Sequence, residues 1–212
     1  MKKVDKKALL MTGIVCLLPM LVGFILYPRL PEQMASHWNF SGEADGYSSK
    51  AFAVFGLPAM MLAFHLLLFF AMSADPKRGN MSEKLVRICL WICPVISVLC
   101  CGMTMLYSLG CNIDVEKTVS VLIGVLLVVL GNNLPKTRQS YTMGIKLPWT
   151  LNSEENWNRT HRLGGFLFVA VGLLFIVLSL VGCLSLVWLI GAVLALILVP
   201  TVYSYLLYRK GI

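Results

Sequence analysis

Charge is scarce in this chain. Only 13% of its 212 residues are Asp, Glu, Lys or Arg, and just ten are acidic. A surface so poor in charge, beside 58% hydrophobic residues, excludes a soluble globular domain. Catalytic signatures are missing too. There is no HExxH, no GxSxG and no pair of aspartates within an apolar run, which removes the common hydrolase designs. His161 with Glu154 or Glu155 offers an acid and a base but no nucleophile. No enzyme and no cofactor are expected. The chain shows no internal repeat, so the inverted-repeat logic of many transporters finds no support. Its seven cysteines lack zinc spacing. Cys89 and Cys93 share a helix face, but two thiols do not complete a tetrahedral site, and the ordinary role is a small buried apolar side chain. Cys111 and Cys183 fall near one predicted surface, which leaves their pairing open.

What the chain does have is long uncharged runs: Ala8–Tyr27, Ala51–Ala74, Ile88–Ile113, Thr118–Pro135 and Leu163–Tyr208. About 20 residues of helix cross a bilayer core, so the last run is two crossings with a turn at Val181-Gly182-Cys183. The expectation is an all-α membrane protein with six transmembrane helices. Its halves are residues 1–110 and 111–212, with three helices each. Placing both termini in the cytoplasm puts 15 of the 18 Lys and Arg residues inside and leaves Arg29, Lys50 and Lys117 outside. Topology and acidic lipid then account for the net charge of +8, and no direct nucleic-acid partner is needed. The apolar run after the basic start ends in Ile25, Leu26 and Tyr27, not in small residues, so it reads as a retained helix and not a cleaved leader. Pro19, Pro58, Pro94 and Pro200 fall within spans and predict kinks. Gly13, Gly23, Gly124, Gly172, Gly182 and Gly191 offer close helix approach without a strict GxxxG pair. His65 is the one ionisable residue deep in a span and reads as a neutral packing group; flux through such residues is the transporter alternative.

Two polar segments interrupt the apolar chain. The outer loop, residues 28–50, predicts a compact knob with a short strand at Met34–Trp38 and turns at Ser41-Gly42 and Asp45-Gly46. Trp38 and Tyr47 suit a membrane interface. His37, Glu32, Glu43 and Asp45 match no known metal spacing, so no metal is expected. The inner loop, residues 133–162, crowds cations and rings between two spans. Asn152 or Ser153 is the expected N-cap of a short interfacial helix, with Glu154 and Glu155 in its first turn. Glu155 and Arg159 stand four apart, as do Trp157 and His161. Pro148-Trp149 reads as extended, and Gly164-Gly165 as the bend into the bilayer.

Two blocks carry a family resemblance. In LPEQMASHWNFSGEADGYSSK, residues Pro31, His37, Trp38, Asn39, Gly42, Asp45, Gly46 and Tyr47 stand at motif positions. In GNNLPKTRQSYTMGIKLPWTLNSEENWNRTHRLGG, the matching residues include Gly131, Asn132, Asn133, Pro135, Lys136, Tyr141 and Gly144, then Pro148, Trp149, Thr150, Ser153, Trp157, Thr160, His161 and Gly164. The chain thus resembles the SdpI family of membrane immunity proteins, with a departure at Gln139-Ser140 where a more Asn-like residue is usual. The resemblance implies a bacterial inner-membrane protein that protects its producer from a secreted toxin peptide. For the founding type it also implies holding a cytosolic winged-helix repressor at the membrane. His37, Trp38, Asn39, Asp45 and Tyr47 are then candidates to face the toxin. Lys136, Arg138, Tyr141, Trp149, Trp157, Arg159, His161 and Arg162 are candidates to face the inner partner.

Overall fold

A computed structural model describes residues 6–39 and 41–212; Lys2 and Lys3, counted among the inner cations, and Phe40 lie outside them. The helices are α1 (Lys6–Leu26), α2 (Leu57–Ala74), α3 (Glu83–Ser108), α4 (Val115–Asn133), α5 (Pro148–Asn152), α6 (Glu154–Val181) and α7 (Leu186–Arg209). All but α5 are long and apolar enough to cross a membrane, which bears out the count of six. A hairpin of β1 (Gln33–Trp38) and β2 (Ala44–Ser49) joins α1 to α2. The chain divides into two compact units. The first holds α1, α2, α3 and the hairpin; the second holds residues 75–82 together with everything from Glu116 onward.

In the first unit, Leu30, Met34, Ala53, Val54, Cys101 and Met105 form the buried core beneath the hairpin. Gly23 lets α1 approach this core: a Cβ there would lie 2.8 Å from both Val54 and Met105. Pro58 falls within the span Phe52–Ala74. It stands at the second position of α2, after a wide π-turn over Phe52–Gly56 in which the Leu57 amide reaches back to the Phe52 carbonyl. Such a turn accommodates the amide that proline lacks. Pro19, Pro94 and Pro200 do lie inside helices. Buried polar groups are paired across helices: Thr12 Oγ1 lies 3.0 Å from His65 Nε2, and Ser97 Oγ donates to the Cys16 carbonyl at 2.8 Å.

In the second unit, α4 and α6 meet backbone to backbone. A Cβ on Gly124 would stand 2.8 Å from the Gly172 carbonyl oxygen, and one on Gly131 would stand 2.8 Å from that of Gly165. The reciprocal additions meet the Gly124 and Gly131 carbonyls at 2.6 and 2.8 Å. The glycines of each helix are seven apart, two turns along one face, so the contact repeats at heptad spacing where a search for GxxxG finds nothing. Gly182 ends α6 in a left-handed conformation (φ 74°), as the predicted turn requires. Gly191 has open space around its Cα. Asn156 ties α6 to α7 and the C-terminus: its amide donates to the Ser204 and Ile212 carbonyls while its oxygen accepts from Thr160 and Ser204.

Candidate functional site

The polar segment from Leu134 to Arg162 is folded, not slack. Pro135 sits in a single 3-10 turn, and Thr137 then leaves extended. Trp157 anchors the stretch beyond that turn. It is fully buried, donates from Nε1 to the Thr137 carbonyl at 2.8 Å, and stacks on His161 with centroids 3.9 Å apart. His161 closes the loop from the other side. Its Nε2 accepts the Ile145 amide at 2.8 Å, so Nδ1 carries the proton and donates to the Trp157 carbonyl at 2.8 Å. Gly144 lies directly on this stack. Its φ is 108°, and a Cβ would come within 2.8 Å of the Trp157 ring. Trp157 and His161, expected to face a partner, are therefore internal; they hold Thr137–Ile145 in place and offer no surface.

Thr150 is the second anchor. Fully buried, it accepts the Leu147 amide at 2.8 Å and lies 2.9 Å from the Ile145 and Leu147 carbonyls. Pro148 is the first residue of α5, and it is Leu147 that is extended (ψ 154°), because the residue before proline is pushed out of the helical region. Ser153 caps α6 through the Asn156 amide, as expected, but α6 runs unbroken to Val181. The predicted bend at Gly164-Gly165 is absent. These glycines instead admit Ile145 and Pro135, each 2.6 Å from where a Cβ would lie. A separate interfacial piece survives only as the five residues of α5, whose Trp149 packs against Tyr205 and Tyr208 with centroids 5.5 and 6.0 Å away.

The third anchor is one that sequence reasoning missed. Asp75, the first residue after α2, is buried and accepts four hydrogen bonds within the unit. Its Oδ1 takes the Lys77 amide at 2.7 Å; its Oδ2 takes Ser140 Oγ, Thr142 Oγ1 and the Thr142 amide at 2.7, 2.7 and 2.8 Å. Burial by itself would raise the carboxyl's pKa, but the Thr142, Ser140 and Lys77 donors together outweigh it and hold it below the ordinary range. Gln139 extends the network, accepting from Lys77 Nζ at 3.1 Å and donating to the Thr150 carbonyl at 2.9 Å. The departure at Gln139-Ser140 is thus structurally occupied. A lone acid followed by proline at the end of an apolar run was the signal in sequence; its partners Ser140 and Thr142, more than 60 residues on, left none.

Lys136, Arg138, Tyr141, Arg159 and Arg162 remain exposed, and Lys77 lies over the Tyr141 ring at 5.4 Å. The expected Glu155–Arg159 pair forms at 2.6 Å. The surface of this segment is basic and aromatic, over an interior fixed by the Asp75, Thr150 and His161 contacts.

The hairpin in the first unit is similarly built. Asn39 Oδ1 accepts the Ser41 and Glu43 amides, shaping the turn in which Gly42 is left-handed (φ 73°). Asp45-Gly46 is not a turn. It lies within β2, where Gly46 faces His37 and a Cβ would meet the His37 Cβ at 2.8 Å. Bulges between Ala35 and Trp38 turn His37 outward, where Nδ1 pairs with Asp45 at 2.5 Å. Tyr47 is exposed, whereas Trp38 packs edge-on against Tyr107 at 5.7 Å. Lys50, expected only as a topology marker, is buried at the hairpin base. It bridges Glu32 at 2.8 Å and the Leu30 carbonyl at 3.1 Å, and lies over the Tyr27 ring. Of the residues weighed as metal ligands, His37 and Asp45 pair with each other, Glu32 pairs with Lys50, and Glu43 accepts from the Asn39 side-chain amide at 3.2 Å. Cys111 and Cys183 are both free and exposed.

Six spanning helices with two anchored polar segments define a multi-pass, all-α membrane protein. A domain of unknown function, DUF1648, matches residues 14–62, and the SdpI/YfhL protein family matches residues 136–204. The two matches fall in the order the two sequence blocks implied, and the resemblance to SdpI extends along the chain's length. Among curated proteins, the immunity protein SdpI of Bacillus subtilis (strain 168) is 27% identical over 210 residues, covering 97% of each chain. No solved structure matches. The likeness and the six helices make this a multi-pass cell-membrane protein.

Proposed function

We propose that this protein is a membrane immunity protein, protecting its cell from a secreted, membrane-active peptide. The observation that carries the reading is the full-length likeness to the Bacillus subtilis immunity protein, with both polar segments retained. The termini are cytoplasmic in this reading, following the cation distribution. The hairpin then faces outward, and His37, Asn39, Asp45 and Tyr47 meet the toxin on a rigid support, with Trp38 bracing it from beneath. The segment around Lys136, Arg138, Tyr141, Arg159 and Arg162 faces inward as a preformed basic surface. It suits an acidic face on a cytosolic partner such as a winged-helix repressor, since exposed Arg and aromatic groups serve interfaces well. Trp149, Trp157 and His161 support that surface from within. The protein acts by binding and not by catalysis.

Expression in a strain sensitive to sporulation-delay type peptides tests the reading: survival should rise with wild type and fall back with His37→Ala combined with Tyr47→Ala. No gain with wild type across a panel of such peptides refutes it. Orientation is tested separately, with Ser36→Cys and Lys146→Cys placed in a background lacking Cys111 and Cys183. In intact cells an impermeant thiol reagent should label the first and not the second.

A further inference from the structure

At the end of the first unit opposite the hairpin, α1 and α3 leave a cleft of about 280 Å³ between their first turns. Lys7 and Arg87 stand at it as cations, Trp91 flanks it, and Met11, Leu90 and Thr12 form its walls. Each wall follows helical spacing: Lys7 and Met11 are four apart on α1, and Arg87, Leu90 and Trp91 are three and four apart on α3. Lys7, Arg87, Met11 and Trp91 are exposed, while Leu90 and Thr12 are buried behind them. The cleft lies one to two turns from the described start of two helices long and apolar enough to cross a bilayer, and in a spanning helix that position corresponds to the level where headgroups meet acyl chains.

We infer that this cleft is a binding site for the phosphate headgroup of an acidic phospholipid. A phosphodiester matches the guanidinium fork of Arg87 with Lys7 as a second charge. The Met11 and Leu90 walls suit the upper acyl chain, and the Trp91 indole suits the interface between chain and headgroup. A free inorganic phosphate would use the cations but gain nothing from the apolar walls. A zwitterionic lipid would use the walls but carry its own cation towards Arg87. Charge and shape together select the acidic lipid.

Native mass spectrometry of the full chain, purified in mild detergent with phosphatidylglycerol or phosphatidylcholine added, tests the assignment. One cation near a lipid surface contributes roughly fivefold in affinity. Wild type should retain phosphatidylglycerol at least about fivefold better than phosphatidylcholine, and Arg87→Gln should lose about fivefold. Lys84→Gln, at the same end but outside the cleft, should change nothing. Met11→Trp keeps every charge and fills the apolar wall, so it should also reduce retention. Equal retention by wild type and Arg87→Gln overturns the site. So does equal retention of the two lipids, and displacement of phosphatidylglycerol by millimolar inorganic phosphate would overturn the lipid in favour of a soluble anion.

Discussion

Asp75→Asn is the sharpest test of how the inner segment is held. The substitution changes shape hardly at all, so its effect isolates charge and donor matching. Oδ2 receives three donors and Oδ1 one. An asparagine must keep its oxygen at the Oδ2 position, because turning it the other way would oppose three donors. Its amide nitrogen then faces the Lys77 amide, donor against donor, at the 2.7 Å now occupied by a hydrogen bond. One bond is lost outright, and three fall from charge-assisted to neutral strength. Hydrogen bonds to a charged group contribute about 1.5–3 kcal/mol each and neutral ones about 1, a gross loss of roughly 3–9 kcal/mol; burying a neutral amide in place of a charge offsets much of it, so a local loss of roughly 2–4 kcal/mol is expected. In hydrogen exchange, that is roughly a 30- to 900-fold faster opening at the amides of Lys77, Thr142 and Ile145. Amides in the middle of α6 should keep wild-type protection. The pH dependence of the wild type has a definite sign. Because the folded carboxyl titrates below its ordinary 3.8, its stabilisation is complete above that value and is lost as the pH falls through the lower folded pKa. The Asp75 contribution to Thr142 protection, read as the difference between wild type and Asp75→Asn at each pH, should therefore stay level from neutral pH down to about 5. Unchanged protection in Asp75→Asn, or a loss that sets in on raising the pH, would refute the latch.

The glycine contact between α4 and α6 makes a paired prediction. Gly172→Ala gains up to about 1 kcal/mol of helix propensity, but its methyl meets a backbone carbonyl at 2.6 Å and overpacking costs about 1–3 kcal/mol, so thermal stability in detergent should fall. Gly191→Ala, with nothing near it, should be neutral or stabilising by up to about 1 kcal/mol in the same melt. Gly144→Ala combines a strained φ with a clash against the Trp157–His161 stack; it should destabilise by at least about 2 kcal/mol, visible as a blunted Trp fluorescence transition on unfolding. His37→Ala and Tyr47→Ala sit on exposed side chains and should move stability by less than about 0.5 kcal/mol, while lowering survival in the toxin challenge.

Sequence alone determined the architecture at the level of spans. Hydrocarbon can be crossed only by segments that satisfy their own backbone, so length and the absence of charge were enough to place six helices. The turn at Gly182, the cap at Ser153 and the Glu155–Arg159 pair were legible for a related reason: each depends on residues within a few positions of one another. What tertiary structure decided is which of the patterned residues face outward. Trp157 and His161 looked like contact residues because rigid rings in a polar segment serve interfaces well. Only the fold of Thr137–Ile145 back across them makes them internal. Lys50 looked like a charge at a span end and Asp75 drew no notice, yet each is buried because distant donors or acceptors converge on it. The heptad glycines of α4 and α6 and the strand containing Asp45-Gly46 belong with them, since their meaning lies in what stands opposite. Local periodicity fixes what a segment is; the identity of its neighbour, set by chain closure over tens of residues, fixes what each side chain does.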